Sequence, residues 1–466
     1  MVGVLGGCAT YRPAPLPSAG AMAAAPAPDM ERLRVAATKL HHPLLEPVTI
    51  DLSDGLSPDE AAVLAVLANP DLKAVRDAHG EAAAQLVGAG LLPNPVLTAE
   101  LDQPRPTSAE RTVNQYSFGL EQSLRELMTR GARVAAAART VKSVDLGIAW
   151  REWQVAQAAR LATVRLAMLQ RRLGLVRREV GFERRTVSVL QKAIGGGDAT
   201  VQDLGVHRSA LEALKQVEGD LDRTAAATRA RLNLLLGLHP KANLEVILPA
   251  ADASGLAKLP AASAMVERAM KTRLDVQALE LGYQAQEARV RRAVLAQFPS
   301  LSIGVVRQRN ETGIQFLGGF VSLGLPIFNR NQGEIALARA TRSRLGHELE
   351  ARIAGIRSQI SELHTADGLL ARQIREARSG AAALAKVERA EHDGVLAGDV
   401  DRLAWQGVRS TLLDVQLKLA ALVQARLETR VALTTAVGRP PVRPRTAAAS
   451  ATSAPPAGGH GGQGPE

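Results

Sequence analysis

Aromatic residues make up only 3% of this 466-residue chain. So few large core anchors argue against ordinary globular domains. Ala, Leu, Arg and Gln dominate instead, a mix that favours long helices packed by small and aliphatic side chains. There is a single cysteine, Cys8, which excludes an intrachain disulfide and a cysteine-based metal site. No apolar run reaches the roughly 18 residues that a membrane-spanning helix needs. Any bilayer crossing must therefore be made by strands in a closed barrel. P-loop, G-x-S-x-G, H-E-x-x-H and C-x-x-C motifs are all missing. His41 and His42 are adjacent and point apart, and His364 and His392 have no second ligand at i+4. The reading is of a non-enzyme with no cofactor and no resident metal.

The net charge is +11, with 57 Lys and Arg against 46 Asp and Glu. The basic residues are spread among the acids, and no basic block carries interleaved aromatics. Nucleic acid is therefore not an expected partner, and the charge reads as solvated helix surface.

Leu5-Gly6-Gly7-Cys8 resembles a bacterial lipobox: an apolar residue, two small ones that fit a narrow peptidase site, then the thiol that is acylated. Residues 1–8 thus read as the end of a lipoprotein signal, with Cys8 as the lipidation site. Residues 9–54 read as a flexible tether, rich in Pro and Ala from Arg12 to Asp29.

The most informative feature is a duplication. Asn69-Pro70-Asp71-Leu72 corresponds to Arg273-Leu274-Asp275-Val276, and Leu91-Leu92-Pro93-Asn94-Pro95 to Leu295-Ala296-Gln297-Phe298-Pro299. Ser117-Phe118-Gly119-Leu120 corresponds to Ser322-Leu323-Gly324-Leu325, Gly197-Asp198 to Gly398-Asp399, and Arg208-Ser209 to Arg409-Ser410. The offset stays between 201 and 205 throughout. Two repeats follow, 55–240 and 261–438, joined by a linker at 241–260 and trailed by a disordered tail at 439–466.

Each repeat reads as helix, β-hairpin, very long helix, tight turn, long helix. The hairpins are expected at Val96–Asp102 with Val113–Glu121, and at Leu301–Arg307 with Leu317–Leu325. The last strand alternates, with Leu317, Val321, Leu323 and Leu325 on one face and Gly318, Ser322 and Gly324 on the other. Two hairpins cannot close a barrel, but three chains would supply about twelve strands.

Arg133 to Ile194 contains no proline, and at 1.5 Å per residue it makes a helix of about 93 Å. Its apolar residues form two columns that repeat every seven positions. One is Leu161, Met168, Leu175, Phe182 and Val189; the other is Leu166, Leu173, Val180, Val187 and Ile194. The columns lie roughly 155° apart, so the helix needs a neighbour on each side, as in a cylinder of helices. Arg171, Arg178, Arg185 and Lys192 form a polar column. Ala167, Gly174, Gly181, Ser188 and Gly195 form one that permits close approach. The chain then reverses at Gly195-Gly196-Gly197-Asp198, where glycine allows φ > 0 and Asp198 is placed to cap the next helix. Gly398-Asp399 repeats the device.

This pattern, from Leu56 to Gly438, resembles the TolC family of outer-membrane efflux proteins. Leu92-Pro93-Asn94-Pro95 and Pro326-Ile327-Phe328-Asn329-Arg330-Asn331-Gln332-Gly333 are most similar to its CzcC-like, heavy-metal branch. The resemblance implies a mainly α fold with a small β-barrel contribution, built as a homotrimer with a 12-stranded barrel in outer-membrane lipid of a Gram-negative bacterium. An α-helical barrel would project into the periplasm. It further implies tips at Gly195, Gly196, Gly197 and Gly398 that dock a periplasmic adaptor (membrane fusion protein) linked to an inner-membrane transporter. The expected function is passive export of divalent or heavy-metal cations. A drug, dye or type I secretion duct is the alternative within the family, and a periplasmic coiled-coil scaffold is the rival outside it. The family's aperture often carries paired carboxylates early in the last long helix, where this chain has Ala404 and Gly407. Asp203 is the acid at the matching place in the first repeat. Asp198, Asp203, Asp399 and Asp401 are the gate candidates, each weighed against a simple capping role.

Overall fold

The computed structural model describes residues 10–20, 28–103, 105, 113–197, 199–248 and 256–440. After a short helix α1 (Met30–Thr38), two sets of elements follow in the same order. The first is α2 (Pro58–Ala68), α3 (Asp71–Gly90), β1 (Val96–Asp102), β2 (Gln115–Ser123), α4 (Leu124–Gly196) and α5 (Val201–Leu235). The second is α6 (Ala262–Thr272), α7 (Leu274–Leu295), β3 (Ser300–Arg309), β4 (Gln315–Gly324), α8 (Gln332–Ala397) and α9 (Arg402–Val437). Corresponding helices have 11 and 11, 20 and 22, 73 and 66, and 35 and 36 residues.

The seven-residue difference between the long helices (73 − 66) lies at their starts. α4 rises directly out of β2, nine residues before the expected Arg133, because nothing between Ser123 and Arg133 breaks a helix. α8 is preceded instead by the elbow 325–331. There Asn331 adopts φ 61°, a left-handed value that asparagine tolerates better than most residues. Its side-chain amide donates to the Ala293 carbonyl at 2.8 Å. The Pro-Ile-Phe-Asn-Arg-Asn-Gln-Gly run is thus a built corner. β2 begins two residues later than expected, and Leu325 lies beyond the end of β4.

The chain forms two compact units, Met1–Lys73 with Ala158–Ile247 and Ala74–Gln157 with Leu248–Glu466, which do not coincide with the repeats. In the first, Ser57 and Glu60 form a capping box on α2, which is buried along most of its length. Asn69 accepts the Asp71 and Leu72 amides and donates to the Leu235 carbonyl at 3.1 Å, tying the start of α3 to the end of α5. In the second unit Arg273 holds the corresponding place. It donates to the Ala436 carbonyl at 2.9 Å, makes a bidentate pair with Asp275 and lies 4.5 Å over the Trp150 ring. Two different side chains perform one task, binding the last carbonyls of their repeat's final helix. The same unit holds a core of Met265, Ala269, Val276, Ile360, Leu433 and Val437.

The paired helices are zipped by heptads. On α4, from Ala162 onward, the buried residues Leu166, Leu173 and Val180 alternate with Leu169, Val176, Glu183 and Leu190. Arg177 crosses to Glu218 and Asp222 of α5 at 3.0 and 2.8 Å. On α9, Leu413, Ala420, Leu427 and Thr434 recur every seven residues. Opposite them, Ile356, Ile360 and Ile374 of α8 share their stripe with a carboxylate, Asp367. Arg426 donates to it through Nε and Nη2 at 3.1 and 3.4 Å, and Arg430 through the same atoms at 2.7 and 3.0 Å. Burial raises the Asp367 pKa, but the hydrogen bonds and charge of Arg430 and Arg426 outweigh it and hold the carboxyl below its ordinary range.

Candidate membrane sheet and helical tips

The two hairpins form one four-stranded antiparallel sheet in the order β1-β2-β3-β4. The β2–β3 pairing, with Phe118 opposite Arg307 and Leu120 opposite Val305, fuses one hairpin from each repeat. Within the described chain β1 and β4 each pair on one side only.

Register decides the chemistry of each face. One face collects Leu97, Leu101, Phe118, Leu120, Ile303, Val305, Leu317, Val321 and Leu323, all more than 44% exposed. The other collects Thr98, Glu100, Asp102, Ser117, Glu121, Ser302, Gln308 and Ser322, with several glycines between them. Phe316 and Phe320 also lie on this second face, which the simple apolar-out alternation did not foresee. Phe320 is opposite Gly304. A Cβ there would collide with the Phe320 ring and come 2.7 Å from the Leu120 carbonyl oxygen. The glycine thus lets an aromatic ring cover an otherwise bare stretch of strand.

At the first tip, α4 ends through Gly195 and Gly196, and Gly197 takes φ 84°. Asp198 lies outside the described residues. The cap of α5 is Thr200, whose hydroxyl accepts the Asp203 amide at 3.1 Å. The Asp203 carboxylate accepts the Thr200 amide at 3.1 Å and its hydroxyl at 2.6 Å. The Thr200 side chain, and then its backbone, hold the Asp203 carboxyl below its usual range. Thr200-Val201-Gln202-Asp203 has the spacing of a capping box, a signal legible in the sequence that the reading of Asp198 as the cap passed over.

At the second tip Gly398, at φ 85°, closes α8. The cap of α9 is Asp401, which accepts the Leu403 amide at 3.3 Å. The capping role expected of Asp399 falls to Asp401 because Asp399 still belongs to the reversal, its amide donating to the Gly394 carbonyl at 2.9 Å. The Asp399 side chain is exposed.

Behind each tip a polar contact joins the paired helices, and neither was visible in the sequence because the partners lie on different helices. In the first, His207 Nδ1 lies 2.7 Å from Glu183 Oε2, both buried. In the second, Trp405 Nε1 donates to Glu388 at 3.1 Å, and the His392 ring lies 5.1 Å from the Trp405 ring. Among the described residues no three His, Cys, Asp or Glu side chains converge as a metal site, and no helix is long and apolar enough to cross a membrane. Cys8 lies outside the described residues.

The two expected apolar columns of α4 differ in the folded chain. In one, Leu166, Leu173 and Val180 are buried and Val187 and Ile194 half-buried; in the other, Met168 is buried, Leu161, Leu175 and Phe182 are half-buried and Val189 is 57% exposed.

No protein-family model matches the chain, and no curated protein does. Solved structures do. CusC, described for conformational changes accompanying folding and transmembrane channel formation, matches with a TM-score of 0.67 at 18% identity over 89% of this chain and 99% of that one. The outer-membrane channel OprN matches with a TM-score of 0.68 at 14% identity, over 87% and 95% of the two chains. The outer membrane protein VceC of Vibrio cholerae matches with 0.65 at 14% identity, over 82% and 96%. Agreement of this extent at such low identity establishes a shared architecture: the chain has the fold of these outer-membrane channels.

Proposed function

We propose that the chain is a TolC-family outer-membrane channel, the passive exit duct of a tripartite efflux system. The observation that carries this reading is the sheet. Its apolar face, from Leu301 to the Leu101–Tyr116 row, covers about 26 Å of strand, comparable to the roughly 25 Å band of outer-membrane barrels, with Arg307 and Arg309 confined to its two outermost rows. In water such a patch is a liability. Three copies joined edge to edge through β1 and β4 give about twelve strands, with lipid outside and the polar face lining a lumen. The partly open side of α4, with Leu161, Leu175, Phe182 and Val189, then meets a neighbouring subunit, completing a helical barrel.

In this reading Cys8 is acylated and anchors the chain to outer-membrane lipid. The tips at Gly195, Gly196, Gly197 and Gly398 dock a periplasmic adaptor, which links the duct to an inner-membrane transporter. Of the gate candidates, Asp399 is exposed and not engaged in capping, while Asp203 and Asp401 are partly occupied as caps. The repeats act as 55–240 and 261–438, with the linker between them. The Pro326–Gly333 run and Leu92-Pro93-Asn94-Pro95 favour the heavy-metal branch and cation cargo.

Two experiments test this. Gradient fractionation of cells should place the protein in the outer membrane as a trimer; recovery as a soluble periplasmic monomer refutes the channel. Deletion should sensitise cells to zinc, cobalt, cadmium, copper or silver. Sensitisation to drugs alone moves the protein to the drug-export branch.

A further inference from the structure

The sheet separates its charges by face. Glu100, Asp102 and Glu121 all fall on the polar face, while both arginines of the sheet, Arg307 and Arg309, fall on the apolar one. They stand two residues apart on β3, at the end nearest the 310–314 turn. Phe118 and Leu317 flank Arg307, and Tyr116 and Gln315 flank Arg309. Among the described residues of the sheet no carboxylate shares their face. Arg307 donates to Gln315 at 3.2 Å, and Arg309 Nε is buried without a hydrogen-bond partner among the described residues. Glu311, the acid of the adjoining turn, approaches Gln115 rather than either guanidinium.

A guanidinium on the lipid-facing side of a barrel is tolerated near the interface and costly at the midplane. Two side by side, beside an aromatic ring at the loop end of an apolar band, suit the headgroup level. Arginine's forked donors match a phosphate in charge and shape. Resting on the channel reading, which puts this face in lipid, we propose that Arg307 and Arg309 form a clamp for the phosphate monoesters of an outer-leaflet glycolipid. A channel of three subunits would carry three such clamps. The acyl chains of the same lipid would lie along Leu120, Val305 and Val321, in the rows next below the arginines, which a free anion does not use.

The test uses the full-length protein reconstituted in phosphatidylcholine vesicles, alone or doped with diphosphoryl lipid A or its dephosphorylated form. Flotation shows insertion, and native mass spectrometry of the extracted protein counts retained lipid. Retention of the phosphorylated form at least tenfold above the dephosphorylated one is expected, with that preference lost in R307Q/R309Q and partly kept in R307K/R309K. Equal retention of both forms, or an unchanged preference in the glutamine variant, overturns the clamp while leaving the inserted channel standing. Displacement by millimolar inorganic phosphate also overturns it, as the mark of a simple anion site. A protein that does not float refutes the channel reading and the clamp together.

Discussion

Asp367 is a charge in the apolar stripe between α8 and α9, and removing it measures what holds that pair together. Its side chain is 7% exposed, and those of Arg426 and Arg430 are 17% and 12% exposed, so solvent screens the cluster little. Asp367→Ala leaves two buried guanidinium groups side by side without their shared acceptor. Breaking a buried pair from one side costs about 3–5 kcal/mol. Unfolding entropy of about 2.1 cal/mol/K per residue amounts to about 1 kcal/mol/K for a chain of this length, so each kcal/mol lowers the Tm by about 1 °C. A drop of about 3–5 °C in the helical melt, followed by far-UV circular dichroism in detergent, is expected. Replacing all three side chains (D367L/R426M/R430M) removes the unpaired charges too and should recover most of the loss. The folded-state carboxyl titrates below its unfolded value of 3.8. Its contribution is therefore complete above that value and disappears as pH falls through the lower folded one. The gap between wild type and D367N should stay constant from neutral pH to about 5 and close only below the unfolded value. A loss under about 1 kcal/mol for D367A, the value of a surface pair, or a gap that closes near neutrality, refutes the reasoning.

Three further outcomes follow from the sheet and the tips. Ile303→Arg places a charge in the middle of the apolar rows from Leu301 to Val305 at a cost of about 2–4 kcal/mol and should abolish outer-membrane yield. Ser302→Arg, on the polar face of the same strand, should be tolerated; equal yields would mean the faces are misassigned. Gly304→Val drives a side chain into the Phe320 ring and the Leu120 carbonyl, and heating of membrane extracts should show the trimer lost. Gly197 and Gly398 have nothing within 4 Å of an added Cβ, so alanine at Gly398 pays only for its left-handed backbone, about 1–2 kcal/mol. Proline at either position cannot adopt the angle, and should stop export while the trimer still assembles. Export that survives both proline variants rules out the tips as the docking site.

The duplication, the hairpins and the long helices were legible because each rests on local periodicity. Period-two alternation marks β4, a seven-residue repeat of apolar residues marks α4, and a Gly-Asp step marks both reversals. Caps were read less well, since Thr200 and Asp401 hold places that neighbouring aspartates seemed equally able to fill, and only backbone direction chooses among them. The Glu183–His207 contact, the Glu388–Trp405 contact and the Asp367 clamp were invisible, because the partners are separated along the chain and a lone charge in a heptad does not name its acceptor. The sequence by itself determined which residues are helix, strand and turn, since those preferences are set within a few bonds. Only the tertiary structure decided that the two hairpins join through β2 and β3, that Asn69 and Arg273 serve equivalent places, and which apolar residues of α4 are buried within the chain. Those outcomes depend on register and packing between segments, where many pairings satisfy the same local pattern and only one satisfies the backbone hydrogen bonds and buried charges together.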